Sequence, residues 1–569
     1  MMAKGKSSTK SGTKSVQQDT QPGRHTVEKL GGTSIRQTDA MVNNVLIGNR
    51  TGEDLYNRIF VVSAYAGITD ALLEHKKTGE SGVYALYADS GSDWAWGDSL
   101  GAARTLMLDI NEEIFGNGAA RRTADAFVKE RVDGVRDSLI DLQRLCASGH
   151  FRLEDHLDTV REMLASLGEA HSAHNTALLL REKGVAARFA DLTGWRVQDL
   201  PSFDAAIDEV FDTIDLSREL PIATGYCRCD AELVKSYDRG YTEVTMSRIA
   251  VRTKAAEAII HKEFHLSSAD PKLVGEDKVR PIRETNYDVA DQLSNIGMEA
   301  IHPSAAKGLR QNGIPLRVKN TFEPDQPGAL IQDSQEPAEP GVEIVAGLKT
   351  VYAFEFYEPD MVGVKGYDAA ILNSLKRHRV YIVAKSSNAN TITHFLQGSP
   401  KLVRRVERDL AAEFPTARIT SRTVSVITAI GRDLRVPGLA ARALMALSDA
   451  GVEPLGFNDL MRKVDLQVIV DQADYDATIQ CRPGGTGRKA NERPESRLDY
   501  HPLAHDALTL NRVHDMFGGD QAGHIGPVNG ALIVENRVFS TQEQAVFDGI
   551  GQIIALAGAT ARADIGIGP

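Results

Sequence analysis

Apolar residues recur along the chain with two periods, and the switches between them mark the elements. Arg58-Ile59-Phe60-Val61-Val62-Ser63-Ala64 is a continuous apolar run of the kind found in buried strands. Leu220-Pro221-Ile222-Ala223-Thr224-Gly225-Tyr226 reads the same way, and Gly184 to Asp191 forms another strand ending in an acid. Helices are expected over Gln37 to Gly48 and across most of the charged region 75 to 167. Leu153 to Arg181 carries Leu157, Val160, Met163, Leu164 and Leu167 at helical spacing. Gly168 interrupts that helix at a cost of about 1 kcal/mol against alanine, so it needs a packing or functional reason. A further apolar-periodic helix is expected from about Thr242 through Ala258. Beyond the linker Glu336-Pro337-Ala338-Glu339-Pro340-Gly341, residues 344 to 400 read strand, helix, strand, strand, helix. Residues 422 to about 480 repeat that order.

Composition narrows the class. A length of 569 residues suggests roughly three or four domains. No apolar run is long enough to cross a bilayer, and a net charge of −12 disfavours nonspecific nucleic-acid binding. Residues 1–24 are rich in Lys, Ser, Thr, Gln and Gly without an apolar stretch, which reads as a disordered tail and not a signal peptide. Cys227 and Cys229 form a C-x-C without a second ligand pair, so no zinc site is expected and a reducing cytoplasm fits.

The stretch with the clearest chemistry is Val27-Glu28-Lys29-Leu30-Gly31-Gly32-Thr33-Ser34. Two glycines let backbone N–H groups converge on an anion. Lys29 can set a compact positive charge on a phosphate, and Thr33 and Ser34 can donate hydrogen bonds. An ordinary strand-to-helix turn explains the glycines equally well. Neither the Walker A nor the dinucleotide spacing is present. Ser63-Ala64-Tyr65-Ala66-Gly67-Ile68-Thr69-Asp70 would let a ligand approach a strand's C-terminal end, or simply connect strand to helix. Asp191 suits a site facing that edge or a turn cap. His171 and His174 read as packing or helix-surface residues.

Lys29-Leu30-Gly31-Gly32-Thr33-Ser34 closely resembles the start of aspartate kinases, members of the amino-acid-kinase superfamily, and later segments match in order. Ser63-Ala64-Tyr65-Ala66-Gly67-Ile68-Thr69 fits Ser-Ala-x-Ala-Gly-Ile/Val-Thr, so the resemblance puts Thr69 at the substrate. Ser166-Leu167-Gly168-Glu169-Ala170-His171-Ser172 fits Ser-x-Gly-Glu-x-x-Ser, whose glutamate helps hold the amino acid. Arg239-Gly240-Tyr241-Thr242-Glu243 stands at Arg-Gly-Gly-Ser-Asp, and implies that Arg239 grips a substrate carboxylate with Thr242 beside it. Lys262-Glu263 replaces a Thr-Asp pair of the nucleotide pocket, and Asp270-Pro271-Lys272 keeps Asp-Pro with Lys for Arg. Glu299 reverses the charge of a lysine that touches ATP in the family. Arg-Gly-Tyr-Thr-Glu combined with His-Leu-Ser-Ser-Ala-Asp-Pro resembles the aspartate kinases dedicated to ectoine synthesis.

The resemblance implies an α/β amino-acid-kinase fold of three layers over a largely parallel sheet (25–335). Two α+β ferredoxin-like ACT domains (344–415 and 422–480) are expected to follow. Their loops Asp360-Met361-Val362-Gly363 and Ser386 to Thr391 stand where such domains bind effector amino acids, or are simple caps. The implied reaction joins L-aspartate and ATP with Mg²⁺ to give 4-phospho-L-aspartate, in a cytoplasmic homo-oligomer that binds neither nucleic acid nor membrane. Catalysis would rest on Lys29, Glu169 and Arg239, and substrate binding on these last two with Thr69 and Thr242. ATP would meet Lys29, Gly31, Gly32, Thr33, Ser34, Lys262, Glu263 and Lys272; no side chain is singled out as a metal ligand. Two rivals are another kinase of the superfamily and an amino-acid-sensing regulatory protein with a decayed kinase domain. Residues 481–569 are expected to be an atypical, poorly ordered, frameshifted extension, which resequencing the gene would test.

Overall fold

The structure, a computed structural model, describes residues 24–75, 78–89, 94–237, 240–298, 300–333, 337, 339–480 and three strands within 526–538. The tail 1–23 and most of 481–569 lie outside it. Two compact units are present, Met1–Gly485 and Thr486–Pro569. In the second, Gly526–Val528, Ala531–Val534 and Arg537–Val538 form a small antiparallel sheet.

In the first unit, β1 (Thr26–Leu30) passes through α1 (Gly32–Arg36), α2 (Thr38–Met41) and a π-helical turn (Val42–Leu46) to β2 (Arg58–Val62). Next come α3 (Ile68–Leu72), α4 (Val83–Ala88), α5 (Ala95–Phe115), α6 (Ala119–Ala147), α7 (Leu157–Glu182) and β3 (Ala187–Ala190). They lead to α8 (Phe203–Phe211), β4 (Leu220–Thr224), α9 (Leu233–Tyr237), α10 (Tyr241–Thr253) and β5 (Glu257–Lys262). The half ends with α11 (Pro271–Val274), β6 (Glu284–Asn286), α12 (Tyr287–Asn295), α13 (Pro303–Gln311), β7 (Leu316–Asn320) and β8 (Ala329–Gln332).

These strands make one sheet in the order β3-β4-β2-β1-β5-β7-β8-β6. It is parallel from β3 to β7, and β8 runs antiparallel to β7. Every residue of β2 and β4 is buried, as their unbroken apolar runs require. Register aligns Leu30 with Val62 and with His261, and Val62 with Thr224. The loops after β1, β2, β4 and β5 therefore leave the sheet at one edge, where open α/β sheets bind ligands.

Two helices differ from expectation. The first starts at Gly32 and not at Gln37, because Gly31 already has the extended backbone of an N-cap (φ −76°, ψ 157°). α10 stops at Thr253, where Lys254 turns left-handed (φ 57°), and Ala258 belongs to β5.

The C-terminal part contains two β-α-β-β-α units. The first is β9 (Ile344–Tyr357), α14 (Tyr367–Arg377), β10 (Tyr381–Ser387), β11 (Thr391–Gln397) and α15 (Pro400–Glu413). The second is β12 (Arg418–Ile430), α16 (Leu439–Asp449), β13 (Gly456–Asp459), β14 (Asp465–Asp471) and α17 (Tyr475–Gln480). Their strands share an antiparallel sheet, β10-β11-β9-β12-β14-β13. Val426 pairs with Leu348 but Val424 with Val351, so β9 carries one extra residue there. That slip inverts the side-chain alternation. Val345 packs under α16 and α17, while Phe354 and Phe356 pack under α14 and α15.

Candidate active site

The glycine loop is fixed by sterics and backbone bonds. A Cβ on Gly32 would drive into the Ala64 carbonyl oxygen. The Ser63 amide donates to Leu30 O (3.1 Å) and the Ala66 amide to Gly32 O (3.2 Å), which stitches the loops after β1 and β2 together. Gly67, at φ 88°, starts α3 and puts Thr69 in its first turn. Gly168 has a packing reason: a Cβ there would stand 2.9 Å from Ala64 Cβ and from Ile68 Cγ2, so glycine lets α7 close onto the β2–α3 loop. A cleft of about 210 Å³ results, lined by Gly32, Thr33, Ala64, Thr69, Glu169 and Thr242 among others.

Glu169 is 2% exposed. Its Oε1 accepts from the Tyr241 hydroxyl (3.0 Å) and the Thr242 hydroxyl (3.3 Å), whereas Oε2 has no hydrogen-bond partner among the described residues. Burial pushes its carboxyl up to about 7, against the pull of the Ala64 backbone, the Tyr241 hydroxyl and the Lys29 charge. Such a group can meet an incoming ammonium, which would pull it back towards the ionised form. Gly225 leaves Glu169 its space, since a Cβ there would strike Glu169 Oε2 and Thr242.

Lys29 Nζ lies 3.5 Å from Glu243 Oε1. The other Glu243 oxygen accepts the His302 amide at 2.5 Å. Burial alone would raise the Glu243 carboxyl, but Lys29, Lys262 and the His302 amide hold it below its ordinary value. Lys29 and Lys262 thus both act on the Glu243 carboxylate. Ser34 Oγ donates to Glu263 Oε1 (2.9 Å), and Thr321 Oγ1 approaches Ser34 Oγ at 3.5 Å. Lys272 is exposed on α11, its Nζ 5.7 Å from the centre of the Phe264 ring and outside the cleft lining. Arg239 and Glu299 lie outside the described residues.

Asp191 caps its turn, accepting Thr193 N (2.9 Å) and Oγ1 (2.6 Å), and pairs with Arg131. His171 and His174 are packing residues, buried and not on the helix surface. His171 bonds Asn111 at 2.8 Å and His174 stacks on Phe127 at 4.0 Å. Burial lowers them to about 3 and about 4. Among the described residues there is no group of three or more His, Cys, Asp or Glu placed to hold a metal. Magnesium that arrives with a nucleotide needs only one or two carboxylates beside phosphate oxygens. Glu243 beside Lys29 and Glu263 beside Ser34 fit that requirement. Sequence reasoning missed Tyr241 and the closeness of Gly225. It noted Glu243 only as a departure from aspartate.

This combination of sheet edge, glycine loop and polar cleft matches a known class. The amino acid kinase family profile matches residues 24–320, and the chain belongs to the amino acid kinase family. The particular relatives are aspartate kinases. Aspartate kinase Ask_Ect of Stutzerimonas stutzeri is 50% identical over 455 residues, 80% of this chain and 96% of that protein. Aspartokinase 3 of Bacillus subtilis is 23% identical over 412 residues, 66% of this chain and 86% of the relative. In fold, the chain is similar to the crystal structure of E. coli aspartokinase III in complex with aspartate and ADP. That likeness has a TM-score of 0.60 at 18% identity, over 80% of this chain and 98% of that one.

Proposed function

We propose that the protein is an aspartate kinase that transfers the γ-phosphoryl group of ATP to the side-chain carboxylate of L-aspartate. The observation that carries this reading is the convergence of Lys29, the Gly31-Gly32 turn, Thr69 and Glu169 at one sheet edge, with the 50% identical aspartate kinase in support. The acceptor carboxylate is ionised at neutral pH, so no strong base is needed. One carboxylate oxygen forms the new bond to phosphorus as the bond to the β–γ bridging oxygen breaks, and ADP leaves with that electron pair. Positioning and charge neutralisation then account for the rate. Lys29 and the amides of the glycine loop would meet the transferring phosphoryl group. Magnesium would supply further charge neutralisation, held on the chain's side by Glu243 and Glu263. Glu169 would take the α-ammonium, Thr69 and Thr242 would hydrogen-bond the substrate, and Arg239 would hold the α-carboxylate. Lys262 and Lys272 are assigned to the nucleotide. Trapping the product with hydroxylamine tests the reading: an aspartyl hydroxamate that needs both ATP and L-aspartate supports it, and none overturns it.

The motif resemblance to ectoine-dedicated kinases, together with the relative named Ask_Ect, supports a place in ectoine synthesis. The paired C-terminal units would carry an amino-acid effector and join chains into a dimer or higher oligomer. The helix-free face of their sheet supports this, being hollowed by about 460 Å³ and lined by Ala353, Thr393, Phe395 and Arg422 among others.

A further inference from the structure

Tyr241 opens α10 at a position where the resembling family motif has glycine, and it is 2% exposed in the cleft. Its hydroxyl makes the shorter of the two bonds to Glu169 Oε1, 3.0 Å against 3.3 Å from Thr242. Its ring meets the Tyr226 ring edge-on, centroids 6.0 Å apart, and Tyr226 is itself buried. That packing fixes the direction from which the hydroxyl donates. Gly225 closes the opposite side, where any Cβ would strike Glu169 Oε2. Among the described residues, side chains therefore clamp the carboxylate through one oxygen and leave the other without a partner.

We infer that Tyr241 is a positioning residue for amino-acid recognition, its hydroxyl orienting the Glu169 carboxylate so that the unbonded oxygen meets the substrate's α-ammonium. This rests on the aspartate kinase reading and adds to it a determinant absent from the motif. A hydrogen bond to the ionised acceptor favours the ionised form. Without the hydroxyl, Glu169 would ionise only at higher pH. Among the described residues, the other titratable groups facing Glu169 or lining its cleft are Lys29 from β1 and Tyr65 and Asp70 from the β2–α3 segment. None of them is altered by substitution at 241.

The test is Tyr241→Phe in the full chain, with kinetics from about pH 6 to about pH 9 at saturating MgATP and a thermal midpoint for each protein. The ring and its packing remain, so only the hydroxyl is lost. At pH 7 the KM for L-aspartate should rise roughly tenfold, the loss of one hydrogen bond to a charged group, while the KM for ATP stays within about twofold. The acid limb of kcat/KM for aspartate should move to higher pH, and the deficit should narrow towards pH 9. An unchanged aspartate KM and pH profile would overturn the inference. So would a fall in kcat and thermal midpoint with a rise in both KM values and an unshifted profile, since that describes a packing role. A wild type that does not phosphorylate aspartate would overturn the kinase reading itself, and this inference with it.

Discussion

Glu169 is the residue whose environment says most about the chemistry. An acid pushed up to about 7 is protonated below neutrality and ionised above it. Only the ionised form attracts an ammonium, so wild-type kcat/KM for aspartate should rise as pH rises through about 7. Glu169→Gln should lose that rise and cost about tenfold or more in kcat/KM at pH 8, one charged hydrogen bond at least; steady-state kinetics across pH would check both. Lys29, Gly31, Gly32, Thr69, Glu169 and Thr242 could be proposed from the sequence because each sits in a short motif. Tyr241 was not, because its partner is 72 positions away and no local pattern announces the pair. Gly225 was likewise visible only as a strand end, its role depending on α7 and α10 closing over it.

Among the elements, the central strands hold a charge cluster that periodicity concealed. Glu28 of β1 accepts from Arg58 of β2 at 2.9 Å and bonds His261 of β5 at 2.8 Å, all three buried. Arg58 also donates to Leu46 O (3.0 Å) and Val45 O (2.7 Å), tying the π-helical turn to the sheet. Burial alone would raise the Glu28 carboxyl, but Arg58 and His261 hold it far below the ordinary range. A depressed folded-state value means stabilisation that is present above the unfolded value of about 4.5 and lost as pH falls below it. Glu28→Ala leaves Arg58 buried without its anion and should cost about 3–5 kcal/mol at pH 7. Urea denaturation should show that gap narrowing below about pH 4.5. Strand identities were readable from apolar runs, and Gly168 was readable as needing a packing or functional reason, which the structure gives as packing. The early start of α1 and the early end of α10 were not, because backbone angles at Gly31 and Lys254 set them and the apolar rhythm does not.

Across the whole molecule, the paired C-terminal units pack onto the segment that follows β5. Ala269 and Val274, in the segment following β5, share an apolar cluster with Leu434, Leu439 and Tyr475 of the second β-α-β-β-α unit. The Val345 amide donates to Ser268 O at 2.9 Å, beside the same cluster. A shift in that unit would therefore press on the Asp270-Pro271-Lys272 segment, which the resemblance proposes for the nucleotide. The order of elements in this half was readable from sequence. The shared sheet was not, since the long β9–β12 pairing and its bulge are tertiary facts. The open face of that sheet predicts association, and sedimentation at micromolar concentration should give a dimer or larger; monomer alone would contradict it. Among the described residues no helix is long and apolar enough to cross a membrane.

In the proposed reaction, Lys29 and its glycine loop drive phosphoryl transfer to aspartate. The most direct test is coupled ADP release with MgATP and L-aspartate, for the wild type and Lys29→Ala side by side. Aspartate-dependent turnover should fall by at least about a hundredfold in the variant, the scale for losing a group that stabilises transition-state charge. Nucleotide or amino-acid binding without any turnover would contradict it and point to a regulatory protein with a decayed kinase domain.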